Sequence, residues 1–159
     1  LGTVALVVVG GVVGYFSVYK NSNESAVLAE SARALVEAKD FPAADIEVEK
    51  LLRAKGASGE PHYLKALVLL QGEDLTNWAP TDLKSVAVVR QLLQAVTKDP
   101  KQHDATLMLV NYFLNAGDVG SAAQHARKIL ETDPANLSCQ YAVAASMVPS
   151  RSQEAIPFL

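Results

Sequence analysis

A single cysteine, Cys139, leaves the chain without the means for an intramolecular disulfide or a cysteine-built zinc site. The redox compartment therefore stays open. Charge of one sign is missing too: 14 Lys and Arg stand against 17 Asp and Glu, a net of −3, with no basic signature for nucleic acid. No Ser/His/Asp order, phosphate-cradling Gly loop or paired-carboxylate motif occurs. His62, His103 and His125 fall far apart, and none has a second ligand at i+3 or i+4. That pattern favours solvated surface histidines over metal binding. Cys139 lies near a helix start, where a thiolate is stabilised, but no base accompanies it in sequence, and a packed small residue is the stronger reading. No enzyme, metal, cofactor or small-molecule substrate is expected.

Long hydrophobic runs are also scarce, with one exception. Leu1 to Tyr19 carries no charge and is dominated by Val, Leu and Gly. As a helix it would be roughly 28 Å long, close to the hydrocarbon thickness of a bilayer. Tyr15, Phe16 and Tyr19 near its end, followed by Lys20, resemble an interfacial aromatic belt with a snorkelling cation. Residues 1–20 are therefore expected to form a single transmembrane anchor, and 21–24 a short linker. A buried core helix and a cleavable signal peptide are the alternatives. Gly10 and Gly14 form a GxxxG pair that lets another membrane helix approach, although glycine is common in such helices anyway. Lys20, Arg33 and Lys39 follow the run, but the residues before it that would fix orientation are missing. The start at Leu1 without Met, and a stop at Leu159 inside what reads as a repeat, suggest a piece of a longer protein.

Beyond Glu24 the apolar residues recur at helical spacing. Val27, Leu28, Ala32, Leu35 and Val36 lead to the turn Asp40-Phe41-Pro42, and Ala44, Ile46, Val48, Leu51 and Leu52 follow. Pro61 opens a second run, through Tyr63, Leu64 and Leu67 to Gly72. Glu73 to Asp82 then intervenes before a helix from about Leu83 to Lys98, which Thr81 or Asp82 is placed to cap. The clearest unit is His103 to Asn136, two helical runs broken at Gly117-Asp118 and closed by Asp133-Pro134. It is about 34 residues long. Asn136 can cap a last helix through Tyr141, Val143 and Met147.

This unit resembles the tetratricopeptide repeat family. Leu109, Phe113, Gly117, Asp118, Ala122, Leu130, Asp133 and Pro134 occupy the large, aromatic, turn, small and terminating positions of that pattern. Thr106 replaces the signature Trp and Ala126 a late aromatic, so the copy is degenerate. The resemblance implies an all-α fold: a right-handed α-solenoid of about three and a half hairpins behind the membrane helix. Its units would be 25–58, 59–101 with a loop insertion at 73–82, 103–136, and an incomplete 137–159.

In proteins of that kind the first helix of each hairpin lines a concave groove for a peptide or partner helix. The matching positions are Arg33 and Glu37, then Tyr63 and Leu67, then Leu107, Asn111, Leu114 and Asn115, and finally Tyr141. Asn111 and Asn115 offer amides that pair with a ligand backbone by donor and acceptor together; polar residues on a wet surface are the alternative. Repeats that clamp a terminal carboxylate use several Lys, Arg and Asn. Here Ala29, Arg33, Leu107 and Asn111 stand at those positions, which suits an internal segment or a helix better. Trp78, in the insertion, is either an interface anchor or a plug holding its own loop. The expected function is a membrane-anchored scaffold for other proteins, an accessory or assembly subunit of a membrane or envelope complex. By architecture it resembles bacterial anchored repeat proteins such as the ancillary subunit of the secretory translocon and the repeat-bearing cytochrome c maturation factors. That resemblance implies the bacterial inner membrane, with the repeats on the periplasmic side. The alternative function is a structural subunit of an energy-transducing or transport complex held through its transmembrane helix; a regulatory domain of a larger enzyme beyond Leu159 is a third.

Overall fold

A computed structural model describes residues 24–54 and 58–147. The described residues are all-α, without a strand: helix α1 at 24–37, α2 Phe41–Arg53, α3 Glu60–Leu70, α4 Leu83–Lys98, α5 His103–Asn115, α6 Val119–Leu130 and α7 Leu137–Met147. A short 3-10 turn, Leu75–Asn77, sits within the stretch expected to be an insertion.

Side-chain caps set the starts of several helices. Asp40, Asp82, Asp118 and Asn136 each accept a hydrogen bond from a backbone N–H of the first turn of α2, α4, α6 and α7, satisfying donors that a helix start leaves unpaired. Thr81, the other candidate for α4, is therefore not the cap. The α1–α2 and α5–α6 turns are copies of one another. Lys39 (φ 60°) and Gly117 (φ 76°) are both left-handed. The next residue, Asp40 or Asp118, returns its N–H to Leu35 O or Phe113 O at 2.9 Å in each case. The α3–α4 connection differs. Gln71 and Gly72 are both left-handed, after which Asp74 caps the 3-10 turn through Thr76 N.

Three apolar cores follow one another along the chain. The first joins Ala32 of α1, Ala44, Val48 and Leu51 of α2, and Leu64 and Val68 of α3. The second joins Ala66 and Leu70 of α3, Val88, Leu92 and Ala95 of α4, and Ala105, Leu109 and Tyr112 of α5, with Leu75. The third joins Val110 of α5, Ala122, Ala126 and Ile129 of α6, and Cys139 and Ala142 of α7. Leu64 and Ala66 are two residues apart, about 200° around a helix, so α3 serves one core on each side. Leu92 and Leu109 are fully buried, each worth about 1.5–3 kcal/mol of transfer free energy. Gly59, at the start of α3, is set by close approach: a Cβ there would lie 2.2 Å from Ala95 O and 2.8 Å from the Asp99 Cβ.

The expected membrane location is corrected. No helix among the described residues is long and apolar enough to cross a membrane. The helices from α2 onward run 11 to 16 residues, short of the roughly 20 apolar residues a span requires. The run at 1–20, with Gly10 and Gly14, lies outside the described residues, as does the end of the last expected hairpin, 148–159.

Candidate partner-binding crevice

Two hollows open between the alternate helices α1, α3 and α5. One, of ≈ 550 Å³, is lined by Arg33, Val36 and Glu37 of α1, Glu60, Tyr63, Leu64 and Leu67 of α3, Asp99 at the end of α4, and Gln102 and Asp104 at the start of α5. The other, of ≈ 400 Å³, is lined by Val36, Glu37, Leu67, Leu70, Leu75 and Met108. Val36, Glu37 and Leu67 line both, so the two form one continuous crevice with an apolar floor. Its size suits a few side chains of a ligand.

Arg33, Glu37, Tyr63 and Leu67, read from sequence as groove positions, come together here. The α5 positions divide. Leu107 and Leu114 instead pack beside the third core, between α5, α6 and α7. Asn115 donates from Nδ2 to Thr76 O at 2.5 Å and so ties α5 to the inserted stretch; Tyr112 Oη donates to Pro80 O nearby. Asn111 is half-buried. Tyr141, 66 % exposed on α7, lines neither hollow. Asp104, Met108 and Leu75 line the crevice although they were not among the expected positions. Asp104, Met108, Asn111 and Asn115 form one helical stripe by spacing, and that stripe was the available signal. Leu75 had none.

Trp78 holds its own loop. Its Nε1 donates to Glu73 Oε2 at 2.6 Å, its ring packs against the second core, and Lys84 Nζ lies 5.9 Å from the ring centroid. The ring also lines a third hollow, of ≈ 460 Å³, with Phe41, Leu69 and Leu83.

Arg33 pairs with Glu60 across α1 and α3. Tyr63 has a raised pKa, first from burial and then from the charge of Asp104, so its hydroxyl stays protonated at neutral pH. Away from the crevice, Lys65 contacts Asp45 at 2.6 Å and Glu49 at 2.7 Å, bracing α3 against α2. Burial works against the Lys65 cation, but the hydrogen bonds and charges of those two carboxylates outweigh it and raise its pKa.

The expectation of solvated surface histidines needs correction, whereas Cys139 is packed as expected. His62 is half-buried, its Nδ1 2.9 Å from Gln91 Oε1. His125 stacks on Phe113, with centroids 5.7 Å apart and planes 6° from parallel, and its buried Nδ1 has no hydrogen-bond partner among the described residues. Burial, and then the nearby Lys128 charge, lower its pKa. Of the three, His103 is exposed. Cys139 is buried in the third core; burial, then Asp133, push its thiol pKa up, opposite to the lowering that a helix start alone suggests. Among the described residues no group of three or more His, Cys, Asp or Glu is placed to hold a metal ion. Comparison with protein-family models, curated proteins and solved structures returns no match.

Proposed function

We propose that the chain is a scaffold of tetratricopeptide-like hairpins, a right-handed solenoid that holds a segment of another protein in the α1/α3/α5 crevice. It would serve as an accessory or assembly subunit of a multi-protein complex, without chemistry of its own. The solenoid reading is supported by the matching turns at Lys39-Asp40 and Gly117-Asp118 and by cores that share α3 and α5. Each hairpin then buries its apolar face only against a neighbour. Asp40 and Asp118 are separated by two periods of about 34 residues plus an insertion of about ten.

The observation that carries the functional reading is the crevice itself. The alternate helices α1 and α3 each contribute an i, i+4 pair, Arg33/Glu37 and Tyr63/Leu67, to one continuous surface. Photo-crosslinking residues at Leu67 and Met108, with Arg90 on exposed α4 surface as control, test it. The expected result is one partner segment, identified by mass spectrometry of the crosslinked peptides, from both crevice positions and none from Arg90. The same products from all three positions would remove the basis for the crevice as docking site.

A further inference from the structure

The crevice has a sign. Six carboxylates but two cations, Arg33 and Lys39, line its two hollows. Several of these acids are already committed: Glu60 to Arg33, Glu73 to the Trp78 indole, and Asp74 and Asp99 to backbone N–H groups of Thr76 and Lys101. Glu37 on α1 and Asp104 at the start of α5 differ. Both are exposed at the rim, and neither makes a side-chain hydrogen bond or ion pair among the described residues. Between them lies an apolar floor of Val36, Leu67, Leu70 and Met108.

We infer that the crevice selects a protein segment carrying lysine or arginine beside large apolar side chains, the cation lying by Glu37 and Asp104 and the apolar groups on the floor. The inference rests on the crevice being the docking site. Complementary charge mainly sets which partner is accepted and how fast it arrives, while apolar burial holds it. An acidic or phosphate-bearing ligand meets repulsion here. Protonated Tyr63 adds no further negative charge.

The test uses the full chain and three labelled amphipathic peptides of about 16 residues with the same leucine pattern, their polar positions filled by Lys, Gln or Glu. Binding is followed by fluorescence anisotropy at low and high salt. The Lys peptide is expected to bind about tenfold or more tightly than the Gln peptide at low salt, a margin that shrinks as salt screens the rim. The near-isosteric pair Glu37→Gln and Asp104→Asn should abolish that margin. Glu47→Gln with Glu131→Gln makes the same change of charge outside the crevice and should preserve it. An equal margin in both double variants, or none in the native chain, overturns the inference. If all three peptides bind alike and Met108→Glu, with helicity unchanged, releases them all, docking survives and the charge selection falls. If none responds to Met108→Glu, docking falls too. Self-association in sedimentation equilibrium that the Glu37/Asp104 pair abolishes would replace the cationic segment by a second copy.

Discussion

Replacing Lys39 by glycine is expected to stabilise the protein, and replacing Gly117 by lysine to destabilise it by a similar amount. Both residues are left-handed in the same turn. That conformation costs an L-residue roughly 1–2 kcal/mol. Glycine avoids the cost but adds freedom to the unfolded chain, which returns about 0.4–1 kcal/mol. The net gain for Lys39→Gly is then about 0.5–1 kcal/mol. Sterics do not confound the reciprocal change, because a Cβ at Gly117 meets nothing within 4 Å. Urea unfolding followed by circular dichroism measures the effect. With a slope of about 2 kcal/mol/M, the midpoint should rise by about 0.3–0.5 M for Lys39→Gly and fall comparably for Gly117→Lys, at unchanged slope. The two turns are far apart and share no partner, so the double variant should return close to the native midpoint. A Lys39→Gly chain that is unchanged or weaker at unchanged slope would refute the equivalence of the two turns.

Gly59→Ala must separate α3 from the end of α4, since its Cβ would fall 2.2 Å from Ala95 O; a loss of about 1–3 kcal/mol is expected in the same assay, whereas Gly120→Ala, whose Cβ would meet the Asp118 side chain at an ordinary contact distance of 3.6 Å, should leave the midpoint nearly in place. The folded state holds His125 below its usual pKa of 6.5, so stability is full above that value and falls as pH drops through it, because the unfolded chain then binds the proton more readily. His125→Phe should flatten the midpoint between pH 7 and about 5, and an unaltered slope would show that the stack on Phe113 does not carry this dependence. Lys65 has the opposite sign: its raised pKa makes its contribution complete below 10.5 and lost as pH rises through the folded value, so Lys65→Met should reduce the alkaline fall in midpoint. The Cys139 thiol should react with a disulfide reagent only at the rate at which the third core opens, and Ile129→Ala, which removes a buried neighbour in that core, should speed the reaction.

Helix type and most helix limits were legible because periodicity and caps agree. Asp40, Asp118 and Asn136 announce helix starts in sequence, and each accepts the N–H bond they imply. The run from Leu64 to Leu70, apolar at every position but Lys65, is the pattern of a helix buried on two sides. Two left-handed residues escaped notice because Lys39 and Gln71 are not residue types that signal positive φ. The crevice was half legible. Arg33, Glu37, Tyr63 and Leu67 line it, but on α5 a rotation of one position along the helix, about 100°, separates the crevice residue Met108 from Leu107 beside the third core. Periodicity alone does not fix that phase on a helix apolar around most of its circumference. Asn115 reads as a crevice position because nothing in sequence indicates that Thr76, distant along the chain, takes its amide. The apolar run at 1–20 points to a membrane location, yet no described helix is of the kind that crosses a membrane.

The sharing of α3 and α5 between cores bears on how such a chain can be cut and recombined. Core boundaries run lengthwise along helices: Leu64 and Val68 belong to one core and Ala66 and Leu70 to the next, while Leu109 and Val110, adjacent in sequence, face different cores. A crossover placed in a connecting turn therefore cannot transplant an intact core. A chimera that receives α3 and α4 from elsewhere inherits half of one foreign interface and must match a native one at both ends. Loop crossovers should give soluble chains only when both flanking helix faces are exchanged as matched sets, and breakpoints inside α3 or α5 fare no better, because the residues of the two cores alternate along each helix and any cut divides both interfaces.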